Sequence, residues 1–383
     1  MAGYAAVFAV AAVVTFALVP IVRRVSIRIG AVVAPGERRV HTAPTPTLGG
    51  TAMYVAFLAA MAVAYVIPQF RDNIFSGSSE PLGVVLGATV IFGVGLLDDL
   101  RDVSAPAKLA GQVAAAMGLY WLGVTMFYFR VPFADVIVLS PDIIPLITVI
   151  WVALMANAVN LIDGLDGLAA GIVAIAAGAF FLYGDRLFKS GVLPDDNVGP
   201  LVAVIVVGMC IGFLPHNFHP ARIFMGDSGA LLLGTLMAAS TMVVGGRADQ
   251  PFSGQTYFFF APIFIPFFIL GVPIVDTVFA VVRRAVRRAG VAEADKEHLH
   301  HRLMRLGHGQ RRSVVILWAW TAILSGIVLM PTYTKRGNAV VPFLVAALAV
   351  ALYTLFHPGV RAARANGQIE QQELPLEDVR SGP

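Results

Sequence analysis

Four polar groups interrupt an otherwise apolar chain. They are Asp98-Asp99-Leu-Arg101-Asp102, Asn157-x-x-Asn160-x-x-Asp163-Gly-x-Asp166-Gly, Phe224-Met-Gly226-Asp227-Ser228-Gly229 and His298-Leu-His300-His301-Arg302. Side chains of these types bind divalent cations, accept protons and hold phosphates. On a continuing helix Asp98 and Asp102, four apart, share a face, with Asp99 turned about 100° away. Carboxylates this close repel one another and raise a pKa unless a cation joins them. The first group therefore reads as a base beside a divalent metal or cationic site, or as a solvated loop in which Arg101 pairs with an aspartate.

The second group pairs Asn157 with Asn160 and Asp163 with Asp166, with Gly164 and Gly167 interleaved. Amide and carboxylate oxygens suit magnesium, which favours hard oxygen ligands and keeps several waters. The alternative is an Asx-rich turn between two helices. In the third group Asp227 opens an apolar segment, where it serves as a helix cap or holds a cation that bridges to a phosphate at the helix start. The fourth group lies in the most basic loop. With the single cysteine, Cys210, far away in sequence, a zinc site there is unspecific, and hydrogen bonds from the imidazoles to an anionic substrate fit better. Lys108 and Gln112 stand one turn apart just after Pro106; the lysine either snorkels to an interface or binds a lipid phosphate.

The elements that must position these groups are membrane helices. Of the 383 residues 58% are hydrophobic and only 13% charged, with a mean hydropathy of +0.79, which excludes both a disordered chain and an ordinary soluble domain. The net charge of +4 reads as basic loops at a membrane rather than as nucleic-acid binding. Windows of about 20 apolar residues predict an all-α integral membrane protein with about eleven spans. They fall at 2–22, 47–67, 82–97, 107–124, 143–159, 165–184, 199–214, 227–245, 257–282, 313–331 and 338–356. Pro262, Pro266 and Pro273 predict a kinked or broken ninth helix, and 125–142 reads as a short outer β-hairpin.

Arg23 and Arg24 follow the first span and no basic residue precedes it, which argues against a cleaved signal. The positive-inside rule puts the N-terminus outside and the C-terminus in the cytosol. In that frame 20 of the 27 lysines and arginines lie in cytosolic segments. The expected organisation is one transmembrane domain, 1–360, and a loose tail, 361–383. The loops 23–46, 98–107, 157–167, 215–229 and 283–312 carry the polar groups on the cytosolic face. Acids at a membrane are costly and point to function. Gathered at one face with cations and phosphate-friendly helix starts, they suit phosphoryl transfer between a soluble nucleotide and a lipid phosphate. A transporter is the contrasting reading, but coupling acids there lie near the midplane between repeated halves, and no repeat is evident.

Taken together and in order, from about Val40 through Pro46-Thr-Leu-Gly49-Gly50 to Arg302, these motifs resemble the polyprenyl-phosphate N-acetylhexosamine-1-phosphate transferases. His298-Leu-His300-His301-Arg302, and Pro273-x-x-Asp276 before a double arginine, are similar to the WecA/TagO branch rather than the MraY branch. The resemblance implies transfer of GlcNAc-1-phosphate from UDP-GlcNAc to an undecaprenyl or decaprenyl phosphate, releasing UMP, as the first membrane step of a cell-envelope polysaccharide pathway. UDP-MurNAc-pentapeptide is the alternative donor. It further implies magnesium, replaceable by manganese, on Asp227 with help from Asn160. Asp98, Asp99 and Asp163 become the catalytic carboxylates. Asp102, Lys108, Asn157, Asp166, Asn217, Phe224, His298, His300, His301 and Arg302 become substrate-binding residues, with Phe224 stacking on uracil. The implied setting is the bacterial cytoplasmic membrane, and the resemblance leaves room for a homodimer.

Overall fold

The computed structural model describes residues 1–33, 44–130, 136–246, 308–334 and 336–357. These form α1 (Ala2–Ile29), β1 (Val32–Val33), β2 (Thr45–Pro46), α2 (Gly49–Val66), the single turn α3 (Pro68–Phe70), α4 (Glu80–Arg101) and α5 (Ala105–Trp121). There follow β3 (Tyr128–Arg130), β4 (Val136–Val138), α6 (Ile144–Ile162), α7 (Leu168–Lys189), α8 (Gly199–Asn217), α9 (Gly226–Gly245), α10 (Gly309–Thr334) and α11 (Val341–Phe356). Among the described residues, nine helical segments are long and apolar enough to cross a membrane. The chain is a multi-pass membrane protein.

Ten of the eleven expected spans correspond to helices, with revised ends. The fourth, α5, has only 17 residues, about 26 Å by helical rise, because Pro106 sets its start and the turn at Leu122 ends it. The first span continues to Ile29 rather than Val22. The third continues to Arg101 rather than Leu97, so Asp98 and Asp99 are helical residues and not loop residues. The expected hairpin is present as β3 paired antiparallel to β4, with Phe129 opposite Ile137. The kinked span expected at 257–282 and the tail lie outside the described residues.

The bundle is built around α9, whose apolar stretch is 94% buried among α2, α4, α6 and α8. Small residues allow this, because membrane helices associate through close backbone packing rather than a hydrophobic drive. A Cβ on Gly234 of α9 would lie 2.5 Å from Ala156 Cα of α6. One on Gly212 of α8 would lie 2.2 Å from the Ala12 carbonyl of α1. At the other extreme α11 presents Leu344, Val345, Leu348 and Leu352 outward, as a helix facing lipid does.

Candidate active site

The polar groups meet where α9 begins. Phe224 donates its amide to the Pro46 carbonyl at 2.9 Å, while Gly49 and Gly50 donate theirs to Phe224 and Met225 at 2.9 and 2.8 Å. The segment before α9 is thereby laid alongside β2, which itself pairs with β1. Gly226 then turns the chain into the helix at φ +70°, in the left-handed region that favours glycine, and a Cβ there would stand 2.5 Å from both Asp99 carboxylate oxygens. Behind it, a Cβ on Gly50 would lie 2.1 Å from the Gly229 nitrogen, so the first turns of α2 and α9 touch backbone to backbone.

Charge gathers in front of this turn. Lys108 of α5 places Nζ 2.5 Å from Asp98 Oδ2 and 2.8 Å from Asp227 Oδ2. Asn160 Nδ2 of α6 stands 3.5 Å from the same Asp227 oxygen. The other Asp98 oxygen accepts the Val103 amide at 2.7 Å. Asp99 points differently: Oδ1 accepts the Asp227 amide at 2.8 Å, and Oδ2 accepts the Ser228 amide at 3.1 Å and the Ser228 hydroxyl at 2.6 Å. Four helices thus supply one cluster, and a single ammonium bridges two of its carboxylates.

Beside it lies the turn between α6 and α7. Asn157 exchanges amide hydrogen bonds with Gln112 at 2.9 and 3.2 Å, linking α6 to α5. Asp166 accepts from His219 Nδ1 at 2.7 Å and from the Ala221 amide at 3.1 Å. Asn217 is buried, accepts the Gly167 amide and donates to the Ile223 carbonyl, both at 3.0 Å. Asp166 and Asn217 therefore shape the loop leading to Phe224. Asp163 is the contrast. Its half-buried carboxylate accepts no hydrogen bond among the described residues, and its pKa is pushed well above the ordinary value by burial, then by the charges of Asp227, Asp99 and Asp166.

Not every expected residue joins the cluster. The helix ends at Arg101, and Asp102 takes a left-handed conformation at φ +46°. It is exposed, its amide still bonds to the Asp98 carbonyl at 3.2 Å, and among the described residues its side chain makes no hydrogen bond or ion pair with the cluster. His298, His300, His301 and Arg302 lie outside the described residues. Two participants escaped the sequence reading. Ser228 was part of a motif without a role, and His219 was one of 8 histidines with only its place in the Asn217 loop to distinguish it.

The donors suit a hard cation. Among the described residues no three His, Cys, Asp or Glu side chains are arranged to hold a metal on their own. Magnesium, however, commonly takes one or two carboxylates and completes its shell with water and substrate phosphate. The Asp163 and Asp227 carboxylates and the Asn160 amide oxygen are donors of that kind, with no soft ligand among them.

A helical membrane protein with a lysine-bridged carboxylate cluster at one end of its bundle is the class that fold and site define. The profile of glycosyl transferase family 4 matches residues 81–245. A decaprenyl-phosphate N-acetylglucosaminephosphotransferase of Mycobacterium tuberculosis is 37% identical over 352 residues, covering 89% of this chain and 85% of that protein. A probable undecaprenyl-phosphate N-acetylglucosaminyl 1-phosphate transferase of Bacillus subtilis is 35% identical, covering 81% and 80%. A phospho-N-acetylmuramoyl-pentapeptide-transferase of Desulforudis audaxviator is 31% identical, covering 75% and 84%. The chain belongs to glycosyl transferase family 4.

Proposed function

We propose that the protein transfers GlcNAc-1-phosphate from UDP-GlcNAc to a polyprenyl phosphate, giving polyprenyl-diphospho-GlcNAc and UMP. The observation that carries this is the meeting of Asp98, Lys108, Asn160 and Asp227 from four helices in a chain of this family. The N-acetylglucosamine donor is favoured over a muramoyl-pentapeptide donor by the 37% and 35% identities against 31%.

In this reading an oxygen of the polyprenyl phosphate attacks the phosphorus that carries the sugar. The bond from that phosphorus to the oxygen bridging to UMP breaks, and UMP leaves. One phosphoanhydride replaces another, so no further energy source is needed. A phosphate monoester has its second pKa near 6, so the nucleophile is already largely ionised at neutral pH and asks little of a base. Positioning and charge compensation supply the catalysis. Lys108 holds the acceptor phosphate beside Asp98. Leu97, Leu100, Leu109 and Val113 are exposed on the flanking faces of α4 and α5, where a lipid tail can lie. Asp227, Asn160 and Asp163 would hold magnesium, which when bound offsets charge on the diphosphate and the departing UMP. Phe224 stacks on the uracil.

The positive-inside pattern supports placing this end of the bundle in the cytosol of a bacterium, with the protein in its cytoplasmic membrane, where a soluble nucleotide sugar can reach it. UMP release by the detergent-purified full chain, scored over a panel of UDP-sugars with and without polyprenyl phosphate, tests the reading. Release that depends on both UDP-GlcNAc and the lipid is the expected result. Release with UDP-MurNAc-pentapeptide alone overturns the donor.

A further inference from the structure

We propose that Asp99 is a positioning residue, whose carboxylate fixes the first turn of α9 and so aims Asp227, rather than a base that takes a proton from the substrate. The proposal rests on the reading of Asp227 as a metal ligand. A carboxylate offers about four acceptor positions, and Asp99 spends three on one target, the Asp227 amide, the Ser228 amide and the Ser228 hydroxyl. The first amides of a helix have no partner within it, and the positive end of the helix favours an anion. No side chain of α9's own N-cap residue, Met225, fills that need. The cap comes instead from another helix, 128 residues away.

The backbone leaves little freedom in this arrangement. Gly226 admits no side chain, because Asp99 occupies the space a Cβ would take. On the α4 side, a Cβ on Gly95, one turn before Asp99, would lie 2.5 Å from Ser228 Cα. The carboxylate is thus clamped onto the turn it caps, while the neighbouring Asp98 faces Lys108. The two adjacent aspartates divide the work: Asp98 belongs to the charged cluster, and Asp99 to the scaffold that orients it. Acting as a base would leave Asp99 neutral, and a neutral carboxyl holds the Asp227 and Ser228 amides less strongly than the charged form.

Manganese binding to the detergent-purified full chain, followed by electron paramagnetic resonance without turnover, separates the roles. Ser228→Ala keeps the Asp99 carboxylate and any proton-accepting capacity it has, yet removes one bond of the cap. A positioning role predicts manganese affinity weaker by several-fold in Ser228→Ala and by roughly tenfold or more in Asp99→Ala, the scale of losing hydrogen bonds to a charged group. Asp99→Asn, which keeps an acceptor for the Asp227 amide, falls between. The acid limb of the pH–rate profile stays in Asp99→Asn. Wild-type protein that binds no manganese overturns the metal reading and this inference with it. Wild-type binding with undiminished affinity in Ser228→Ala, or loss of the acid limb in Asp99→Asn, overturns the assignment of Asp99 alone. Should Asp99→Ala fail to fold, Ser228→Ala decides the matter.

Discussion

Lys108 Nζ lies 2.8 Å from Asp227 Oδ2 although 119 residues separate them in the chain. The same ammonium contacts Asp98, so it compensates one carboxylate on the proposed lipid side and one on the proposed metal side. Replacing Asp227 removes the second of these partners and the main proposed metal ligand together. Turnover should then require added magnesium or manganese in the wild type and stop with chelator. Asp227→Asn should lower kcat by at least about 10²-fold, the scale for one preorganised electrostatic group. Near-normal turnover of that variant at low magnesium would remove Asp227 from the site.

Asp163 yields a pH prediction whose sign is opposite to that of a paired carboxylate. Its folded pKa is raised, by burial first and then by Asp227, Asp99 and Asp166, so the native state binds the proton more tightly than the unfolded chain does. Stability contributed by this group is therefore lost as pH rises from the ordinary carboxylate range through the raised folded value. Without divalent cation, Asp163→Asn should melt higher than wild type at neutral pH, and the difference should shrink as pH falls toward that ordinary range. Melting curves in detergent across pH check it. A variant that melts lower at neutral pH contradicts the picture of an uncompensated carboxylate.

Much of this was legible in the chain, for reasons particular residues make plain. Continuous apolar windows located the helices because the bilayer demands length and permits few charges. The same demand put Asp98, Asn160, Asp163 and Asp227 at span ends, and alternation of direction put those ends together. What escaped was local pairing over long separations. Two-residue strands such as β1 and β2 have no periodicity to read, so the hydrogen bonds from Gly49 and Gly50 to the segment before α9 leave no trace in sequence. Asp166 and Asn217 are of types that serve equally as ligands and as loop braces. Their partners, His219 and Gly167, lie about 50 residues away. Asp98 and Asp99 are chemically identical neighbours, and only the rotation of about 100° between consecutive helical residues separates a charged-cluster residue from a cap.

Orientation can be tested at residues whose exposure the structure gives. Asp195 follows α7 at the end of the bundle away from the cluster, and Ala107 lies in the first turn of α5 beside Lys108; both are exposed. The sole cysteine, Cys210, is buried and is replaced by serine in the labelling background. Asp195→Cys should react with a membrane-impermeant thiol reagent in intact cells. Ala107→Cys should react only after permeabilisation. The reverse pattern would place the cluster outside and rule out a cytosolic nucleotide donor.

The last prediction divides the cluster between two substrates. Lys108 starts α5 next to the end of α4, and the outward Leu97, Leu100, Leu109 and Val113 make this corner apolar up to the ammonium. In the proposed reading a lipid phosphate arriving sideways meets Lys108 first. Phe224 lies on the segment tied to Pro46 and shaped by Asp166 and Asn217, which the proposed reading assigns to the soluble nucleotide. Lys108→Ala removes the point charge proposed to hold that phosphate. It should raise the KM for polyprenyl phosphate and change that for UDP-GlcNAc little. Phe224→Ala should do the opposite, with a loss of about 1–3 kcal/mol, as for bases stacked on aromatic rings elsewhere. KM reports binding only where chemistry is slow beside substrate release, so single-turnover measurements accompany the steady-state ones. Because Lys108 also contacts Asp227, its loss leaves two carboxylates with one fewer cation between them, and magnesium should raise the melting temperature of Lys108→Ala more than that of wild type. If both substitutions weakened the same substrate, the division of this site into a lipid flank and a nucleotide flank would be wrong.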